Sequence, residues 1–210
     1  MLYQKTLYGW IIHPINMRSP TVRQIALLSV LIAVSLGIQL APRPPNVEFT
    51  SLFTFLVGVL YGSLVGGFFG GFVMFVNGFL SPWGFAGLMM PFQIVGMATI
   101  GFCGGIYRRH ATGQNSAQVS AELAILGAIL TFLFDVVTNV GVAVLPALAG
   151  TPWHISLILA LFMGAPFSLI HIISNTALFS LGFIPLFRAL QRIPGGETLW
   201  SKKELLHSQR

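Results

Sequence analysis

From Phe49 to Tyr107 the chain carries no Asp, Glu, Lys or Arg, and a second stretch free of them runs from Val136 to Phe187. As straight helix the first would extend about 88 Å, nearly three times the ~30 Å of a bilayer's hydrocarbon core. No soluble fold hides so much uncharged chain, because only 8% of the 210 residues are charged, about a third of the usual share. These features exclude a soluble enzyme, a disordered chain and a nucleic-acid-binding domain, despite the net charge of +6. They predict an all-α integral membrane protein. Its one compact domain covers residues 22–187, with an amino tail over 1–21 and a carboxyl tail over 188–210.

The spans are read from apolar runs and their breakers. The first is Ile25 to Leu40, stopped by Pro42, Pro44 and Pro45, and a hydrophilic connector leads on to Glu48. Residues 49–80 are long for one helix and short for two. Gly58, Gly62, Gly66 and Gly70 recur every fourth residue, the spacing of closely packed membrane helices. The run is divided near Tyr61-Gly62-Ser63. The next span runs from Phe85 to Tyr107, and the fifth from about Ala121 to Val144, ended by Pro146 and Gly150. Ile155 to Met163 is too brief to cross, and Gly164-Ala165-Pro166 is expected to break it. The last span is then Pro166 to Phe187.

Basic residues set the orientation. Six spans with both termini cytoplasmic put Lys5, Arg18, Arg23, Arg108, Arg109, Arg188, Arg192, Lys202, Lys203 and Arg210 inside and leave only Arg43 outside. Reading 49–80 as one helix would reverse most of that asymmetry. The same parity places 41–48, 81–85 and 146–165 outside, with Phe49, Trp83, Phe85 and Trp153 in or beside them. Those aromatics serve either as an interfacial belt or as ligand contacts. No secretory signal peptide is expected, since no small-residue cleavage site follows the first apolar run. The location implied is the cell membrane, multi-pass.

An ionisable group at membrane depth calls for a reason. Asp135 lies about 14 residues into the fifth span, with Asn139 on the same helix face. His171 and Asn175 repeat that spacing on the last span. If that span begins at Pro166, all four fall in the outer half and can line one outward-opening cavity. Asp135 could equally bond His171 and tie two helices together, and the two roles are compatible. Gln93 and Asn77 are weaker candidates. No catalytic motif, phosphate loop or cofactor fingerprint is present. Only His171 of the five histidines lies well inside a span, so no metal cluster is expected. Cys103, the single cysteine, reads as a small buried hydrophobe.

Four local patterns, in this order, resemble those of the substrate-binding S components of energy-coupling factor (ECF) vitamin importers. They are Pro44-Pro45-Asn46-Val47-Glu48-Phe49-Thr50-Ser51; Pro91-Phe92-Gln93-Ile94-Val95-Gly96-Met97 with Gly101 and Gly105; Phe134-Asp135-Val136-Val137-Thr138-Asn139; and Gly164-Ala165-Pro166-Phe167 with His171 and Asn175. The resemblance covers residues 21–190. It implies a non-enzymatic subunit that captures a vitamin-like molecule from outside, between the outer loops and the last three helices. The subunit then docks on a transmembrane coupling protein bound to two cytosolic ATPases, and topples to release its cargo. The substrate contacts read from the residues themselves are Asp135, Asn139, His171, Asn175, Gln93 and Trp83. Ser29, Ala33 and Gly37 would match the small-residue docking stripe of the first helix, with Ser29 departing from the usual Ala. Plain helix packing would use the same small residues. Few charges and apolar, aromatic-rich loops suit a flat or uncharged ring. Cobalamin-like compounds, riboflavin, thiamin precursors, biotin and pantothenate all stay open. The competing functions are an intramembrane enzyme using Asp135 and His171 as an acid–base pair, and a stand-alone facilitator or channel.

Overall fold

A computed structural model of the chain describes residues 21–42, 44–82, 84–108 and 116–196. Among the described residues there are six α-helices: α1 Val22–Leu40, α2 Thr50–Tyr61, α3 Ser63–Leu80, α4 Met90–Tyr107, α5 Ser116–Leu148 and α6 Trp153–Gln191, with a one-turn 3-10 helix at Gly87–Met89. Five stretches among the described residues are long and apolar enough to cross a membrane, the third of them counting that turn together with α4. The exception is α2, whose 12 residues rise only about 18 Å.

α1 starts at a reciprocal cap. The Thr21 backbone N–H donates to Gln24 Oε1 at 2.8 Å, and the Gln24 N–H returns a bond to Thr21 Oγ1. Its inward face is partly polar, with Gln24, Ser35 and Gln39 buried beside Leu27 and Leu31. At its far end Gln39 Nε2 donates to Thr50 Oγ1 at 2.8 Å, joining α1 to the first turn of α2.

α2 is the centre of the bundle. Eleven of its 12 residues are buried, as expected for a helix apolar all round. Gly62 alone joins it to α3, at φ 97°, a left-handed conformation that glycine adopts without steric cost. The predicted division at residue 62 is therefore where the chain turns.

The glycine ladder packs α2, α3 and α4 backbone to backbone. A Cβ on Gly101 would run into the Gly66 carbonyl, one on Gly58 into the Gly101 carbonyl, and one on Gly104 into the Phe55 carbonyl. At Gly70 the obstacles are Met97 O and the Thr54 methyl, both at 2.6 Å. Small residues let helices approach where lipid offers no hydrophobic drive to associate them.

α5 and α6 form a long antiparallel hairpin that packs on α4 through α5 and on α2 through α6. Here the structure corrects the expected breaks. Ile155–Met163 is not a separate piece, and Pro166 does not begin a helix. Both lie inside the 39-residue α6, which also continues through Pro185 to Gln191, past the expected end at 187. α5 likewise begins at Ser116 and runs through Pro146 to Leu148. A proline removes one helical hydrogen bond, but packing of one helix along the other can hold the axis. Gly164 lies directly against the Asn139 side chain, within that contact. The expected outer loop of residues 146–165 shrinks to Ala149–Pro152.

The described basic residues gather at one end of the bundle. Arg108 Nη1 donates to the Val59 and Leu60 carbonyls at the C-terminus of α2. Tyr61 Oη donates to the Gly195 carbonyl at 2.6 Å, and Gly195 lies against the Arg23 backbone. Arg188 sits in the last turn of α6. The described residues of the connectors 41–49, 81–89 and 149–152 lie at the opposite end.

Candidate functional site

Four elements meet below those three connectors. His171, at the middle of α6, places Nδ1 2.8 Å from Asp135 Oδ1 on α5, and Nε2 3.3 Å from Glu48 Oε1. Asn175, one turn on, donates from Nδ2 to Glu48 Oε1 at 3.2 Å and to Thr131 Oγ1 at 3.0 Å. The Ser51 N–H donates to both Glu48 oxygens, at 3.0 and 3.3 Å, so the carboxylate also caps the start of α2. Asp135, His171, Asn175 and Glu48 are all at most 5% exposed. Burial by itself would raise the Glu48 carboxyl. The His171 hydrogen bond and charge, with the Ser51 donors, outweigh it and hold the group down at about 2.

One side of this cluster forms the floor of a cavity of about 560 Å³ between the halves of α5 and α6 nearer those connectors. Asp135 and His171 belong to its wall, as do Asn139, Gln93 and Ser156. Its apolar lining includes Phe134, Val142, Leu159 and Phe167, and Asn46 closes it from the first connector. Asn46 holds φ 60°, and its carbonyl accepts from Ser174 Oγ at 3.2 Å, which ties the connector to α6. Asp135 Oδ2, Ser156 Oγ and Gln93 Oε1 are buried and have no protein partner. A volume of this size and a mostly apolar wall with a few polar groups suit a small organic ligand.

The family model described as ECF transporter, substrate-specific component, matches residues 23–181. The chain belongs to that family. No curated protein and no solved structure matches it. It is thus a multi-pass membrane protein and a substrate-specific transport subunit, a role distinct from catalysis.

In this S component the structure brings Asp135, Asn139, His171 and Gln93 to one cavity wall. Asn175 stands behind the wall, wholly buried and bonded to Glu48 and Thr131. Trp83 lies outside the described residues. Asn77, on α3, is not part of the cavity. The depth expected for His171 is corrected: α6 begins at Trp153, so His171 lies about 27 Å along it rather than one or two turns. The ring contacts differ too. Phe49, Phe85 and Trp153 stay off the cavity, and its aromatic lining comes from helical Phe134 and Phe167.

Glu48 was missed by sequence reasoning, which placed it in a hydrophilic connector. Its position three residues before Ser51, at the start of an apolar run, was the available signal, because an acid there caps a helix N-terminus. That it also meets α6 could not be read from spacing.

Both imidazole nitrogens are engaged by carboxylates, which leaves no ring nitrogen to move a substrate's proton. That weighs against the acid–base enzyme reading. Among the described residues Ser29, Ala33 and Gly37 are exposed on the face of α1 turned from the bundle, and nothing there approaches a Cβ built at Gly37.

Proposed function

We propose that this S component captures a vitamin-like small molecule in the cavity beside Asp135 and delivers it to an ATP-driven importer in the cell membrane. The single observation that carries the reading is the partly apolar cavity of about 560 Å³, floored by a buried Asp135–His171–Glu48 cluster, at the end of the bundle opposite the described basic residues. By the positive-inside rule the basic end is cytoplasmic, so the cavity opens outward and both termini lie inside. Asn139 and Gln93 orient the polar edge of the solute, Ser156 meets its far end, and Phe134 and Phe167 cover its body. Asn175 acts from behind the wall by fixing Glu48.

The exposed face of α1 is the docking surface for a transmembrane coupling protein, through Ser29, Ala33 and Gly37, with two cytosolic ATPases supplying the energy. A stripe of small residues turned away from its own bundle suits a close helix–helix contact with another chain.

The test has two arms. The purified chain alone should bind a small molecule saturably, identified by mass spectrometry of what co-purifies. Co-expressed with a coupling protein and its ATPases, it should form a complex that imports that molecule with ATP. Solute flux through liposomes holding the chain alone would instead make it a facilitator.

A further inference from the structure

The cluster under the cavity fixes the charge of what the cavity takes. A neutral imidazole has one N–H and can donate to only one carboxylate. His171 contacts two, Asp135 through Nδ1 and Glu48 through Nε2. For both contacts to be hydrogen bonds a second proton must be present, on the ring or on one of the carboxyl groups. An imidazolium between two carboxylates has a net charge of −1. So does a neutral imidazole between one carboxylate and one carboxylic acid. The remaining partners, Ser51, Thr131 and Asn175, are neutral. With these two protons the cluster carries one uncompensated negative charge whichever groups hold them.

Three further observations give that charge a direction. Asp135 and His171 belong to the cavity wall, whereas Glu48 is enclosed by its donors behind them. The buried polar atoms left without a protein partner around the cavity are acceptors or can accept: Asp135 Oδ2, Gln93 Oε1 and Ser156 Oγ. Among the described lining residues none is Lys or Arg, so the wall offers no cation to a carboxylate or phosphate. A buried net charge is costly until a counter-charge arrives.

We propose that the cavity selects a small organic cation, a protonated amine or a positively charged nitrogen heterocycle on an apolar ring-sized body, and rejects carboxylates. The cationic nitrogen sits at Asp135, with Gln93 on the same wall accepting a further hydrogen; Ser156, about 22 Å from His171 along α6, meets the far end of the solute. Phe134, whose ring stands edge-on to His171 at 5.8 Å, and Phe167 pack the body and offer π-faces to the charge. This rests on the cavity being the substrate site. It also replaces the uncharged ring expected from composition, because the sequence did not show Glu48 joining Asp135.

The test uses the full chain in detergent or nanodiscs and a matched series on one indole body: tryptamine (cation), 3-ethylindole (neutral) and indole-3-propionate (anion). Thiamin is added as a second cation and biotin as a second carboxylate. Thermal shift and titration calorimetry are the readouts. The expected result is that a cation raises the midpoint, and that tryptamine binds at least about tenfold more tightly than 3-ethylindole, the span of a charged hydrogen bond. The carboxylates should be weakest. Asp135→Asn should cost tryptamine about tenfold and 3-ethylindole less than threefold. Should that variant fail to fold, the wild-type series still decides. Tighter binding of a neutral or anionic member than of its cationic counterpart overturns the proposal, and so does the absence of any shift with either cation. A carboxylate that binds and is imported overturns the charge assignment alone. Failure to assemble with any coupling protein overturns the importer reading alone.

Discussion

The Glu48 carboxylate lies 3.3 Å from Nε2 of His171, 123 positions further along the chain. The contact joins the connector before α2 to the middle of α6, and through Asp135 it reaches α5 as well. One buried acid thus links the helix at the centre of the bundle to the long hairpin that carries the cavity.

Removing that acid should therefore cost stability first. Glu48→Ala leaves the Ser51 N–H, Asn175 Nδ2 and the His171 ring without their shared acceptor. The expected loss is about 1–3 kcal/mol, the cost of leaving buried donors without an acceptor. A fall in the thermal midpoint of the purified chain, larger than that of Asn77→Ala, is the check. An unchanged midpoint would mean the Glu48 contacts add nothing to the fold.

The glycine positions should separate by their neighbours. Gly101→Val forces side-chain atoms into the Gly66 backbone and should abolish folded, monodisperse protein. Gly37→Ala meets open space and should hold or raise stability, by up to about 1 kcal/mol from helix propensity. Size-exclusion chromatography and melting curves compare the two.

Ala33→Phe tests the outward face of α1. Since Ala33 is exposed and outside the cavity, the variant should fold and bind ligand normally. Its assembly with a coupling protein should fall at least tenfold through steric overlap. Ligand binding that drops in parallel would show that the substitution disturbs the subunit itself.

The reading of α6 as one crossing is tested by labelling. In a Cys103→Ala background, a cysteine at Ala149 should react with an impermeant reagent only from outside, and one at Ile193 only from the cytoplasm. The two positions are separated by α6 alone. Reaction of both from the same side would remove the crossing and with it the proposed orientation.

Some of this was determined by the sequence alone. Two long stretches without a charge require a membrane domain, because the bilayer's cost for each ionised group acts on every residue of a span. Gly62 marked the turn between α2 and α3, and the four-residue glycine spacing marked close packing, since both follow from local sterics. Asp135 and Asn139 shared a face because helical periodicity is local. Tertiary structure decided the rest. Pro146 and Pro166 read as ends, yet each lies inside a helix, because the α5–α6 contact outweighs one lost hydrogen bond. Glu48 read as a solvated connector residue, yet it is buried against His171, because donors from α2 and α6 converge on it. Burial of a charge depends on partners distant in sequence, and no local pattern encodes where those partners meet.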